Sequence, residues 1–169
     1  MSIDTLFLTP VYLPLVSAAF LMATKAFFGD RKRVVLQAFA ALVGLVLPVA
    51  ALGMLKDFVM AQGKMETVIG AWNTSLGIHY HFDGLSYLLV ALHLAISIPV
   101  YLYRRKGKAH DDTFAIIFFI QCASVAATSL TADLFNLFVC LEVMGITSYV
   151  LIASSDKDNS LLASFNYLI

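Results

Sequence analysis

The chain has 169 residues, 60% of them hydrophobic and only 13% charged, with a formal net charge of zero and a mean hydropathy of +0.86. That composition excludes an ordinary soluble domain and points to a membrane protein. The neutral balance offers nucleic acid no bulk attraction. The two cysteines, Cys122 and Cys140, sit in apolar runs without a CxxC pair or a neighbouring His/Cys cluster, which argues against disulfide scaffolding and zinc and for small apolar fillers.

The N-terminus, MSIDTLFLTP, lacks a basic leader region, so the first apolar run reads as a retained span over 5–28. Pro10 and Pro14 fall in its opening part, where proline costs least or bends the helix. Lys25 near its far end can snorkel to the headgroups. Arg31, Lys32 and Arg33 make a basic turn. A second span covers 34–55, with Pro48 as an expected kink.

The region from Glu66 to Gly84 does not read as helix. Val68 to Trp72 and Ile78 to Phe82 flank a turn-like cluster, Asn73 to Gly77. The second run alternates, with Ile78, Tyr80 and Phe82 on one face and His79 and His81 on the other. This predicts an external β-hairpin on the membrane surface, with Trp72 at the interface. Two histidines on one strand face are a weak metal signal and read as solvated side chains.

Asp83 caps a third span over 85–103, which contains His93 and Pro99 and runs into Arg104, Arg105, Lys106 and Lys108. Asp111 or Asp112 caps a fourth span over 113–130, carrying Gln121. The turn Thr131-Ala132-Asp133 is short, so the fourth and fifth spans are expected to be antiparallel neighbours. The fifth covers 134–153. After a polar stretch, Leu161 to Ile169 opens a sixth helix, whose nine residues reach only about 14 Å. The fold class is therefore an all-α membrane protein. It has one domain over 1–169, with five transmembrane helices, the start of a sixth, and the hairpin between the second and third.

Orientation follows from the basic loops. Arg31 to Arg33, Arg104 to Lys108 and Lys157 share one end with Lys25, whereas the other end has only Lys56 and Lys64. The positive-inside rule places the N-terminus and the hairpin outside a prokaryotic plasma membrane.

Glu142 is the one charge inside the fifth span. Nine residues from Asp133, it lies about 14 Å in, near the middle of a hydrocarbon core about 30 Å thick. A carboxylate there costs about 2.5 to 3.5 kcal/mol on insertion scales and needs a partner, a hydrated cavity or a proton. The expectation is a proton or ion route. The competing reading is a protonated acid bonded to a neighbouring helix. His93 and Gln121 stand at matching depth in their spans, nine residues from Gly84 and Asp112. Hydrocarbon offers such groups no partners, so a shared polar layer is expected. His93 then reads either as a proton relay or as an imidazole bonded within the bundle. Gln121 reads as a transport residue or as interhelical glue.

At these residues the chain resembles a known family. DLFNLFVCLEVMGITSYVLI, Asp133 to Ile152, resembles the fifth transmembrane helix of antiporter-like membrane subunits. These are the D-type subunits of Mrp sodium/proton antiporters, the proton-pumping subunits of respiratory complex I and the matching subunits of membrane-bound hydrogenases. AWNTSLGIHYHFDGLS, Ala71 to Ser86, is similar to the hairpin before their third helix. The resemblance implies that Glu142 takes the place of the family's fifth-helix glutamate, which pairs with a lysine on the seventh helix and helps gate proton movement. It also implies fourteen helices in a full member and an external N-terminus.

This chain carries the acid and no lysine deep within a span. The expected function is therefore a membrane subunit of a multi-subunit ion-translocating complex, supplying Glu142 to a route completed by other chains. The expected partners are other integral membrane subunits, one bearing buried lysines, and lipid. The alternative is a structural spacer of the membrane arm. No Gly-rich phosphate loop, metal cluster or Ser/His/Asp constellation is present in the sequence, so no catalytic site and no cofactor are expected in this chain.

Overall fold

Runs of apolar residues without a polar face form helices that are hydrophobic all round, as expected of membrane spans. The structure, a computed structural model, describes residues 6–27, 33–61, 63–70, 77–107, 112–154 and 159–168. It contains helices α1 (Thr9–Phe27), α2 (Arg33–Ala41), α3 (Leu47–Met60), α4 (Gly84–Gly107), α5 (Asp112–Leu130), α6 (Leu134–Ala153) and α7 (Ser160–Leu168), with strands β1 (Met65–Ile69) and β2 (Ile78–Phe82) between α3 and α4. Among the described residues, Val34–Met60, Gly84–Arg104, Asp112–Leu130 and Leu134–Ala153 are long and apolar enough to cross a membrane. The expected span over 5–28 appears as α1, which has 19 residues and is not one of those four.

A π-helical turn, Leu42–Val46, joins α2 to α3. Pro48, in the first turn of α3, lacks an N–H, and its ring would crowd the carbonyl four residues back; a widened turn relieves both. The second helical rod therefore runs on to Met60, beyond the expected end at 55.

The helices pack around α5. In its membrane-length window 56% of the residues are buried, against 17% for α6. Two clusters fill the interior. One joins Phe7, Leu55, Met65, Tyr80, Phe82, Val90 and Leu130. The other joins Leu21, Leu45, Tyr101, Ile116 and Phe119.

The strands pair antiparallel, with Met65 opposite Phe82 and Ile69 opposite Ile78. β1 thus begins earlier than the expected Val68–Trp72 run. Gly70, at φ 123°, ends it in a conformation that favours glycine. Trp72 and most of the turn cluster lie outside the described residues, as do Arg31, Lys32, Lys108, Asp111 and Lys157. Tyr80 and Phe82 point into the first cluster, and Phe82 stacks on Phe7 with ring centroids 5.4 Å apart. Tyr80 bridges to Thr131, and the Ala132 N–H donates to the His79 carbonyl at 2.9 Å. The hairpin is thereby tied to the α5–α6 turn.

Candidate functional site

Helix α6 begins where Asp133 accepts a 2.9 Å bond from the Phe135 N–H, satisfying a donor that the first turn leaves free. Its buried residues are Asn136, Cys140 and Thr147. At about 100° per residue these three fall within an arc of about 40°. The inward face of α6 is therefore polar and small. Asn136 Nδ2 donates to Thr131 Oγ1 at 2.9 Å. The Thr147 hydroxyl is bonded to the Gln121 side-chain carbonyl on α5 and lies 2.7 Å from the Val143 carbonyl of its own helix.

Glu142 is on the outward face. Its side chain is exposed, beside exposed Phe135, Phe138, Val139 and Ile146. It makes no hydrogen bond or ion pair among the described residues. Five residues from Thr147, it is turned away by about 140°. An added Cβ on Gly145, one turn on, would meet nothing within 4 Å. An apolar groove of about 200 Å³ runs between α1, α5 and α6, lined by Val11, Leu15, Ile120, Ala123 and Val143; Glu142 is not part of it.

His93 lies on α4 with its ring toward Cys122 of α5. Its Nδ1 is 3.4 Å from Ser97 Oγ, while Nε2 is buried without a hydrogen-bond partner among the described residues. The three polar residues at matching depth are thus arranged differently from one another. Gln121 and His93 face the interior, and Glu142 faces out. Cys122 and Cys140 are free and buried. On the hairpin, His81 holds Glu66 at 3.1 Å through Nδ1 and Asp83 at 3.6 Å through Nε2. Burial raises the Tyr80 phenol above its ordinary value, with the Asn136 hydrogen bond opposing.

Sequence reasoning passed over a buried pair at the opposite end of the bundle. Gln37 and Asp112 are both buried, and the Gln37 amide donates to Asp112. The signal was available: Gln37 is a strongly polar residue inside an apolar helix, as Gln121 is. Lys25 donates to Thr113 at 3.2 Å, and the Arg104 guanidinium sits 5.2 Å from the Phe114 ring centre.

The helix order, the hairpin before α4 and the lone acid of α6 can be set beside known proteins. No family model matches the chain. Antiporter subunit mnhD2 of Staphylococcus epidermidis is 27% identical over 98% of this chain and 33% of its own length. The D-type subunit of the Na(+)/H(+) antiporter of Bacillus subtilis is 29% identical over 95% of this chain and 32% of its own length. The solved structure of an Mrp complex from a Dietzia species matches with a TM-score of 0.83 at 23% identity, over 98% of this chain and 31% of that one. This chain is similar to the N-terminal part of D-type antiporter subunits. It spans about a third of the length of these relatives. It shares the fold of that Mrp structure over almost all its residues, and its apolar helices mark it as a membrane protein.

Proposed function

We propose that this chain is the N-terminal helical bundle of an antiporter-like module, and that it brings Glu142 to a proton or cation route completed by other chains of a multi-subunit membrane complex. The observation that carries this reading is the placement of Glu142. An acid at mid-membrane depth is expensive unless something answers its charge, and in this chain it points outward with no partner among the described residues.

In this reading α1, the α2–α3 rod, α4, α5 and α6 are the five spans. The N-terminus and hairpin are external, because the basic residues gather at the other end. A cationic side chain from a neighbouring subunit meets Glu142. At an effective dielectric near 20, an ion pair at about 4 Å is worth about 4 kcal/mol. That is enough to change a protonation equilibrium by about three orders of magnitude. His93 and Gln121 lie behind the route acid, inside the bundle.

The test is Glu142→Gln in the assembled complex, read as antiport in inverted membrane vesicles. The expected result is loss of ion translocation with assembly intact. Undiminished translocation would leave the chain as a structural spacer.

A further inference from the structure

We infer that the Gln121–Thr147 contact, together with Asn136–Thr131, sets the roll of α6 about its own axis and so the direction in which Glu142 points. Gln121 and Thr147 are positioning residues for the route acid. This rests on the reading of Glu142 given above.

Apolar packing alone cannot fix the roll. In lipid, the surroundings of a helix are as apolar as its neighbours, so burial of Leu or Phe gives little preference between rotations. α6 is a clear instance. Its exposed residues include Leu134, Phe135, Phe138, Leu141 and Ile146, and its membrane-length window is only 17% buried. Greasy residues cover the outward face, so the hydrophobic effect does not tell it from the inward one.

Hydrogen bonds do. An amide turned toward hydrocarbon loses its partner; the Thr147 hydroxyl keeps Val143 of its own helix in any roll, so the preference comes from the amides of Gln121 and Asn136. Asn136, near the start of α6, is held by Thr131, and Thr131 is bridged to Tyr80 of the hairpin. Eleven residues on, after about three turns, Thr147 is held by Gln121. The two contacts are about 20° apart around the helix and well separated along it. A helix pinned at two heights on one face is free neither to roll nor to tilt. Glu142 lies between the two heights, about 140° around from Thr147. The fold therefore places its polar hydrogen-bonding groups inside and its one mid-helix charge outside, aimed at whatever packs there.

The experiment uses the assembled complex carrying Thr147→Val, Thr147→Ser, Gln121→Met or Glu142→Gln, with antiport recorded in inverted vesicles across a pH series. Thr147→Val and Gln121→Met remove the bond at nearly constant volume and are expected to move the pH midpoint of transport by about one unit. Thr147→Ser keeps the hydroxyl and is expected to keep the original profile. Wild-type midpoints in both bond-removing variants, with transport abolished in Glu142→Gln, would overturn the positioning role and leave the proposed function standing. Normal transport in Glu142→Gln would remove the proposed function itself. If one bond-removing variant fails to assemble, the other carries the readout. Failure of both, with Thr147→Ser normal, would assign the contact to folding and overturn the inference.

Discussion

The amide nitrogen of Gln37 lies 2.6 Å from Oδ1 of Asp112, joining α2 to the first turn of α5 across 75 residues of sequence. Both side chains are buried, Gln37 at 3% exposure and Asp112 at 6%. A hydrogen bond to a carboxylate is stronger than one between neutral groups. Losing a hydrogen bond to a charged group costs about 1.5–3 kcal/mol. Gln37→Leu is expected to lower the melting temperature of the detergent-solubilised protein accordingly. Combining it with Asp112→Leu is expected to cost less than the sum of the two single changes, because both remove the same contact. Additive melting shifts would show that the pair is not coupled.

Much of this architecture was legible because membrane spans advertise themselves. Leu134–Ala153 and Asp112–Leu130 fall within one residue of the expected bounds, since Asp133 and the turn before it punctuate an uninterrupted apolar run. β1 was less legible. Met65, Glu66 and Thr67 carry no clear strand pattern of their own and are recruited by pairing with Phe82, His81 and Tyr80. The extension of the second rod to Met60 was hidden by Lys56 and Asp57, which read as a loop but are exposed on a continuing helix. Glu142 was legible by depth, because depth follows from counting residues. Its outward direction was not: Gln121 stands out as a polar residue at matching depth, but nothing in one dimension pairs it with Thr147 on another helix.

Asp83 links the hairpin to α4. Its Oδ1 accepts the Ser86 N–H at 2.9 Å. That bond, with His81 nearby, holds its carboxyl below the usual carboxylate range. A lowered folded-state value means that the stabilising contribution is complete above the ordinary value and is lost as pH falls through the lowered one. The protection of the Ser86 amide, relative to its intrinsic exchange rate at each pH, is therefore expected to fall as the solution is acidified below about pH 4. Asp83→Asn keeps a capping oxygen and is expected to flatten that dependence, whereas Asp83→Ala is expected to cost about 1 kcal/mol at neutral pH. Amide protection in Asp83→Asn with the same acid response as the parent would show that another group controls this end of α4.

Gly44 is a packing constraint within the π turn. A Cβ there would stand 2.8 Å from Ser17 Oγ and 3.2 Å from Phe119 Cε1. Gly53, on the same rod, has nothing within 4 Å. Gly44→Ala is expected to destabilise the protein by about 1–3 kcal/mol through overpacking, with Gly53→Ala close to neutral. The Ser17 hydroxyl is buried without a hydrogen-bond partner among the described residues, so Ser17→Ala removes the obstructing atom without breaking a bond. The double variant Ser17→Ala/Gly44→Ala is expected to melt closer to the parent than Gly44→Ala alone. Equal melting of the two would place the strain against Ser17 Cβ, at 3.1 Å, and Phe119 instead.

Gly145 separates packing within this chain from docking onto it. An added Cβ there meets nothing within 4 Å, three residues from Glu142 and so about 60° around the helix from it. Small residues on an exposed membrane-helix face let another backbone approach closely. If a helix of another subunit crosses the Glu142 face to bring a cation to the acid, Gly145→Leu is expected to leave the melting of the isolated chain unchanged while blocking its incorporation into the complex. Both quantities are measurable on one variant, by thermal melting in detergent and by co-purification of the neighbouring subunits. Normal co-purification with normal transport would mean that no helix crosses at Gly145, and the cation answering Glu142 would then have to arrive from a different side of α6.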